Sequence, residues 1–430
     1  MPHSISRLRA DLNPVAGFTF RDARPFQAGD DTTATNIPFP PIPAAFWGAA
    51  CAAARPCFGP PQRAYLFGLA RGQVDYFPSP LDLRMEKIEG PQESRRDPLW
   101  TRVLPVRDPG IVAMKGLASP ALFVPAESFA AESLEHRLMT GAQWGAYLRG
   151  ARLPGKPLKE EAVVKNQMRV GVQLGSLPTS LTAESRREPR LAAPGRLYSE
   201  QVAFLDRKDG GVVFRLGLEF DSPIETSKLP LESTVRLGGE GRLAGIQFEP
   251  GWDGGFDDKL MNAVKGNVLK QNAPPFLVKL CFLTPTVFSA NREWLLNRPD
   301  TPAWRPCWLW PHKACRPPHS SGYKLKLVAA LVDKARPAGF WDAKAEYPKD
   351  EGGKADRPGA GAPKPLYRFL PAGAVYFLEL YPDGRQPAKA LDKFFEDFWL
   401  NTILVRKDNT LSFFGRMGFG ITVIGDWNYA

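Results

Sequence analysis

The chain has 430 residues, 43% of them hydrophobic, with a formal net charge of +11 and a pI near 9.4. That length and apolar content suffice for a buried core and suggest two or three domains. The positive excess points to an acidic partner, nucleic acid or an anionic surface, while the five cysteines are too few for a disulfide framework.

MPHSISRLRADL carries charge without a following apolar run, so it does not read as a signal peptide. The longest small-apolar run, Ala44 to Ala54, is well short of the roughly 20 residues that a spanning helix needs. A cytoplasmic protein with no membrane partner is expected. Glycine (39) and proline (43) are frequent but below low-complexity levels, which suggests a folded chain with long loops.

In chain order, VAGFTF (Val15 to Phe20) reads as the first strand, followed by the polar turn RDARPF. PFPPIP then leads into a helix over Ala44 to Ala54, because proline fits the entry to a helix. AYLFGLARGQVDYF is two short apolar segments around Arg71-Gly72, a hairpin. A second helix is read over His136 to Gly150, with Leu138, Trp144, Tyr147 and Leu148 at helical spacing. From Met168 the pattern turns to strands: MRVGVQLGSL, RLYSEQVAFLD and GVVFRLGLEF. Between the first two, Arg186, Arg187, Arg190 and Arg196 stand among Pro and Gly, as in a long hairpin tip.

The second half repeats the texture. FLVKLCFL, YKLKLVAALV, PAGAVYFLELY and FGITVIGDW are strands, and ALDKFFEDFW is an amphipathic helix with Leu391, Phe394, Phe395 and Phe398 on one face. The order suggests an α+β protein of two ferredoxin-like (RRM-like) domains with long loop insertions, over residues 1–255 and 256–430. Insertions are read near 297–322 and 346–365.

VRLGGEGRLAG (Val235 to Gly245) holds four glycines, three of them, Gly238, Gly239 and Gly241, between Arg236 and Arg242. It is not a phosphate-binding P-loop, which needs Lys and Ser/Thr at a helix start. It is not a dinucleotide fingerprint either, because RLAGIQFEP alternates like a strand. A plain hairpin with a glycine bulge remains open beside a loop whose free N–H groups and arginines face a polyanion.

Several segments resemble, in order, the handle-binding RAMP subunit of type III-B CRISPR effector complexes, the third subunit of the Cmr complex. They are FRDARPF, FPPIPAAFWGAACAA, YFPSPLDL, MRVGVQL, GRLYSEQ, LGGEGRLA, GFWD, PAGAVYFLE and GFGITVIGDW. The resemblance implies a non-catalytic subunit that holds the 5′ handle of the CRISPR RNA. It also implies docking to the large polymerase-type subunit and to backbone RAMP subunits. By motif, the RNA contacts are Arg21, Arg24, Arg169, Arg236, Gly238, Gly239, Gly241 and Arg242.

Cys307, His312, Cys315 and His319 are spaced C-x4-H-x2-C-x3-H, four residue types that can close a tetrahedral zinc site. The spacing is not a recognised finger, and two prolines restrict the wrap, so no cofactor is expected. The alternative function is a RAMP-type endoribonuclease that processes repeat RNA. Such chemistry usually uses a histidine near neutrality, and the chain offers His3, His136, His312 and His319.

Overall fold

The structure is a computed structural model. It describes residues 4–18, 41–87, 98–106, 123–127, 129–174, 192–208, 210–225, 229, 232–238, 242–287, 322–334, 336–338, 341–342, 362–363, 367–384, 386–404 and 409–429.

The first strand is Ser4–Pro14, upstream of the apolar Val15 to Phe20 stretch. Its residues alternate Arg7, Arg9 and Asp11 with Leu8, Ala10 and Leu12. The second set is buried in the core. The first set pairs across strands, Arg7 with Glu219, Arg9 with Glu249 and Asp11 with Arg215. The charges therefore mark one face of a strand rather than a solvated tail. Burial acts to raise the Glu219 carboxyl, but Arg63 and Arg7 outweigh it and hold the group below the usual carboxylate range.

Eight strands form one antiparallel sheet. Their order is Ser233–Arg236, Leu243–Pro250, Ser4–Pro14, Val212–Glu225, Arg63–Arg71, Val74–Pro78, Arg137–Thr140 and Leu158–Lys159. All residues of Arg63–Arg71 except its two ends are buried, because both faces of the sheet are covered. On one face the helix Pro43–Phe58 sets Phe46, Ala50 and Ala54 against Phe67, Leu69 and Phe214. On the other, Tyr65, Leu66 and Phe77 pack with Trp144 and Phe256 in a core that continues into the second half of the chain.

The hairpin at Arg71-Gly72 forms as the sequence suggests, with Arg71 opposite Val74 and Gly72 at φ 59°. The second helix starts later than its apolar spacing suggests. Arg137–Thr140 is a strand, and Thr140 caps the helix Gly141–Leu148 in a capping box with Gln143.

In the second half, five strands lie antiparallel. Their order is Tyr323–Leu331, Val375–Pro382, Phe276–Phe282, Ile421–Asp426 and Asn401–Thr402. The helix Pro387–Phe398 buries the apolar face read from its sequence. A helix that the sequence reading passed over, Asp258–Leu269, buries Leu260, Val264 and Val268 at four-residue spacing. Asp257 caps it, accepting from the Leu260 N–H at 2.7 Å. A smaller four-stranded sheet has the order Phe123–Pro125, Trp100–Pro105, Leu83–Glu86 and Ala131–Ser133. Among the described residues, no helix is long and apolar enough to cross a membrane.

One fully buried polar group joins residues far apart in the chain. Lys279 Nζ lies 2.8 Å from Asp82 Oδ2 and donates to the Tyr147 hydroxyl at 2.7 Å. The Tyr147 hydroxyl in turn donates to Asp82 Oδ1. Burial first, and then the Asp82 charge, push the Tyr147 hydroxyl well above its ordinary range. Burial likewise pushes the neighbouring Cys281 thiol up to about 12. Removing one ion of such a pair leaves the other buried and uncompensated. Asp82→Ala is therefore expected to cost about 3–5 kcal/mol in urea unfolding, whereas the apolar pair Asp82→Leu with Lys279→Met costs much less. Equal losses in the two variants would show that the pairing is not what matters.

Candidate nucleic-acid interface

The glycine loop is the tip of the hairpin at the edge of the large sheet. Arg236 and Leu243 are its last paired residues. Beyond them, the Leu237 N–H donates to the Arg242 carbonyl at 2.8 Å. Leu237 is buried and pegs the loop to the core, while Arg236 and Gly238 are exposed. Gly238 has φ 76°, in the left-handed region where a side chain adds strain. Gly239 and Gly241 lie outside the described residues.

Arg242 is half-buried, and its Nη1 donates to the Gly17 carbonyl at 2.8 Å. It thus ties the loop to the backbone just beyond the first strand. The Val15 N–H donates to the Leu243 carbonyl at 3.0 Å from the same side. From the other side, Phe18 exchanges two hydrogen bonds with Ala203, at 2.8 and 2.9 Å, and Arg207 Nη2 donates to the Val15 carbonyl at 2.6 Å. A Cβ at Gly17 would fall 2.3 Å from Val202 and 2.7 Å from Phe204, so glycine is what permits this close approach.

Ala203 belongs to a two-stranded ribbon, Val164–Leu174 paired with Ala192–Leu205. Its base is in the core, where Val163, Val164 and Ala203 pack in one cluster with Phe18 and Phe46. Four successive residues further out, Lys165 to Met168, are all exposed. On the partner strand, Val202 and Ala203, opposite Gln167 and Asn166, are fully buried, so the ribbon is rooted in the core on that strand and exposed on the other. Arg169 follows, opposite Glu200 in the ribbon's register. It stands three residues beyond Asn166, the partner of Ala203, hence roughly 10 Å out from the base.

The segment with Arg21 and Arg24 lies outside the described residues, but it begins directly after Phe18. Three sequence-predicted elements therefore share one root at Val15 to Phe18: the glycine loop, the ribbon with Arg169, and the chain leading to Arg21. The sequence reading did not single out Arg207, whose only signal was its place in the polar turn after the ribbon. Around the root, Asp206 is already neutralised by Arg71 at 2.8 Å. Cys307, His312, Cys315 and His319 lie outside the described residues. His136, at φ 59°, is exposed and has Nδ1 3.1 Å from Glu160 Oε2.

Comparison with known families finds a match over residues 69–427 to the family described as CRISPR-associated protein (Cas_Cmr3). Among solved structures, one chain from a cryo-EM structure of the Type III-B Cmr-beta bound to cognate target RNA is similar. It has 10% identity and a TM-score of 0.43, covering 96% of both chains. A second, from the same assembly with target RNA and AMPPnP, state 1, has 12% identity and a TM-score of 0.42, covering 96% of this chain and 94% of that one. No curated protein matches.

The two arginines of the loop differ in what they hold. Arg242→Ala removes the guanidinium bond to Gly17 and is expected to lower stability by about 1–2 kcal/mol, with faster hydrogen exchange at the amides of Leu237 and Phe18. Arg236→Ala, at an exposed position, is expected to stay within about 0.5 kcal/mol of the parent. Unchanged exchange in Arg242→Ala would mean that the loop is held without it.

Proposed function

The chain belongs to the CRISPR-associated Cas_Cmr3 family, and on that premise we propose that it is a non-catalytic RNA-binding subunit of a type III-B Cmr effector complex. In this reading it grips the 5′ handle of the CRISPR RNA and docks the large polymerase-type subunit and the backbone RAMP subunits. The observation that carries the reading is the common root at Val15 to Phe18. Elements more than 220 residues apart in sequence meet at one place, with Arg236 exposed at the loop and Lys165 to Met168 exposed on the ribbon. A single strand laid there meets the exposed Arg236, a guanidinium donor that suits phosphate, and the exposed ribbon residues Lys165 to Met168.

The two halves, 1–255 and 256–430, are read as two ferredoxin-like units. Supporting this, four strands of each half run in the same spatial order, fourth, first, third, second in chain order. In the first half these are Leu243–Pro250, Ser4–Pro14, Val212–Glu225 and Arg63–Arg71. In the second they are Ile421–Asp426, Phe276–Phe282, Val375–Pro382 and Tyr323–Leu331. Helix Pro43–Phe58 links first to second strand in one, and Pro387–Phe398 third to fourth in the other.

The decisive measurement is binding of repeat-derived RNA over a range of salt concentrations. The expected result is binding without cleavage, with or without divalent metal. Arg236→Ala should lower affinity and reduce the salt slope by about 0.7, one single-strand phosphate contact. Gly239→Val should weaken binding by blocking close approach. Cleavage abolished by His136→Ala would replace this reading with the endoribonuclease. Wild-type binding by both loop variants in the assembled complex would leave the loop as a hairpin turn only.

A further inference from the structure

A cavity of about 550 Å³ lies away from the glycine loop, toward the other edge of the large sheet, where the smaller sheet, the end of helix Gly141–Leu148 and the chain's last strand meet. Its volume is that of a ligand or side-chain pocket. The walls set Leu99, Trp100, Leu104, Leu153 and Trp427 among polar and charged residues, and Leu99 is exposed.

The group that gives the cavity chemistry is Arg102. Its Nη2 donates to the Tyr147 carbonyl, and its guanidinium carbon lies 5.0 Å over the Tyr147 ring. Among the described residues no carboxylate pairs with it. A guanidinium has five N–H donors, so most of its capacity is unspent. The ring beneath it is fixed, because the Tyr147 hydroxyl is held by Asp82 and Lys279. Arg102 is thus a preorganised anion site beside apolar side chains.

The rest of the lining decides which anion fits. Arg102 and Arg152 are balanced by Glu127 and Asp426. A phosphate chain would bring repeated negative charge against two carboxylates, whereas a single carboxylate meets one open guanidinium. A protein segment can set one carboxylate beside an apolar side chain that meets Leu99 and Trp100, whereas a nucleic-acid strand presents phosphates in series.

We propose that this cavity docks a protein partner through a segment in which one carboxylate neighbours an apolar side chain, with Arg102 holding the carboxylate. The proposal rests on the reading of the chain as a subunit of an assembly. The test is a photo-crosslinking residue, p-benzoylphenylalanine, at the exposed position Leu99 in the assembled complex. The expected result is a crosslink to a protein subunit, mapped to a segment with an aspartate, a glutamate or a chain terminus beside an apolar residue. Arg102→Gln is expected to reduce that crosslink at least tenfold, and Arg102→Lys less, with RNA retained through the glycine-loop arm. A crosslink to RNA, to a segment without a carboxylate, or to nothing in an intact RNA-loaded complex overturns the proposal, as does full crosslinking with Arg102→Gln. Failure of the complex to assemble or to hold RNA counts instead against the proposed function.

Discussion

The buried guanidinium of Arg215 sets the register on which the large sheet depends. It is only 3% exposed, in a strand covered on both faces. Asp11, its direct partner on the first strand, receives two of its donors at 2.7 Å, and Asp75 receives a third at 2.6 Å. Trp252 Nε1 adds a bond to Asp75 at 2.8 Å. Burial opposes the charge, but these carboxylates outweigh it and raise the Arg215 pKa above its ordinary value. A slip of one residue would turn Arg215 to the opposite face and leave a buried cation without its acids, which excludes every neighbouring register.

That register carries through to the candidate interface. With Asp11 opposite Arg215 on one side, it lies opposite Gln247 on the other. The same ladder then brings Asn13 to Gly245 and Pro14 to Ala244. The next step is the Val15 bond to Leu243, and beyond it Arg242 meets the Gly17 carbonyl. The hairpin and the end of the first strand therefore arrive together because a charge deep in the sheet admits a single alignment. The ribbon joins them by the Phe18 to Ala203 bridge, itself packed in the core under helix Pro43–Phe58.

Local patterns in the sequence revealed elements whose partners are near or whose apolar face is broad. The amphipathic helix Pro387–Phe398 and the hairpin at Gly72 are of this kind. The first strand was missed because its buried face is small, Leu8, Ala10 and Leu12, and its other face is charged. Only the distant Glu219, Glu249 and Arg215 turn those charges into sheet residues. The helix Asp258–Leu269 buries just three apolar side chains and contains a glycine, so its pattern is weak until strands Phe276–Phe282 and Ile421–Asp426 cover it. At the interface, the loop and ribbon were legible as glycine and arginine clusters. Their shared root was not, because Gly17 and Arg207 act through backbone carbonyls and clashes that no spacing encodes. Arg242 shows the same limit: a cation in a glycine-rich loop looks like a ligand contact, yet one of its donors serves the fold.

Counting basic residues does not by itself separate a polyanion site from a site for a single carboxylate. At the proposed RNA arms, Asp206 next to Arg207 is already paired with Arg71, and Arg236 on the hairpin is exposed. At the cavity, Glu127 and Asp426 share the lining with Arg102 and Arg152, so a row of negative charges would find no excess of cations there. Tyr147 joins that cavity to the buried lock: its carbonyl and ring hold Arg102, while its hydroxyl closes the Lys279 and Asp82 pair. The contact that fixes one part of the chain against another thus also orients the open guanidinium.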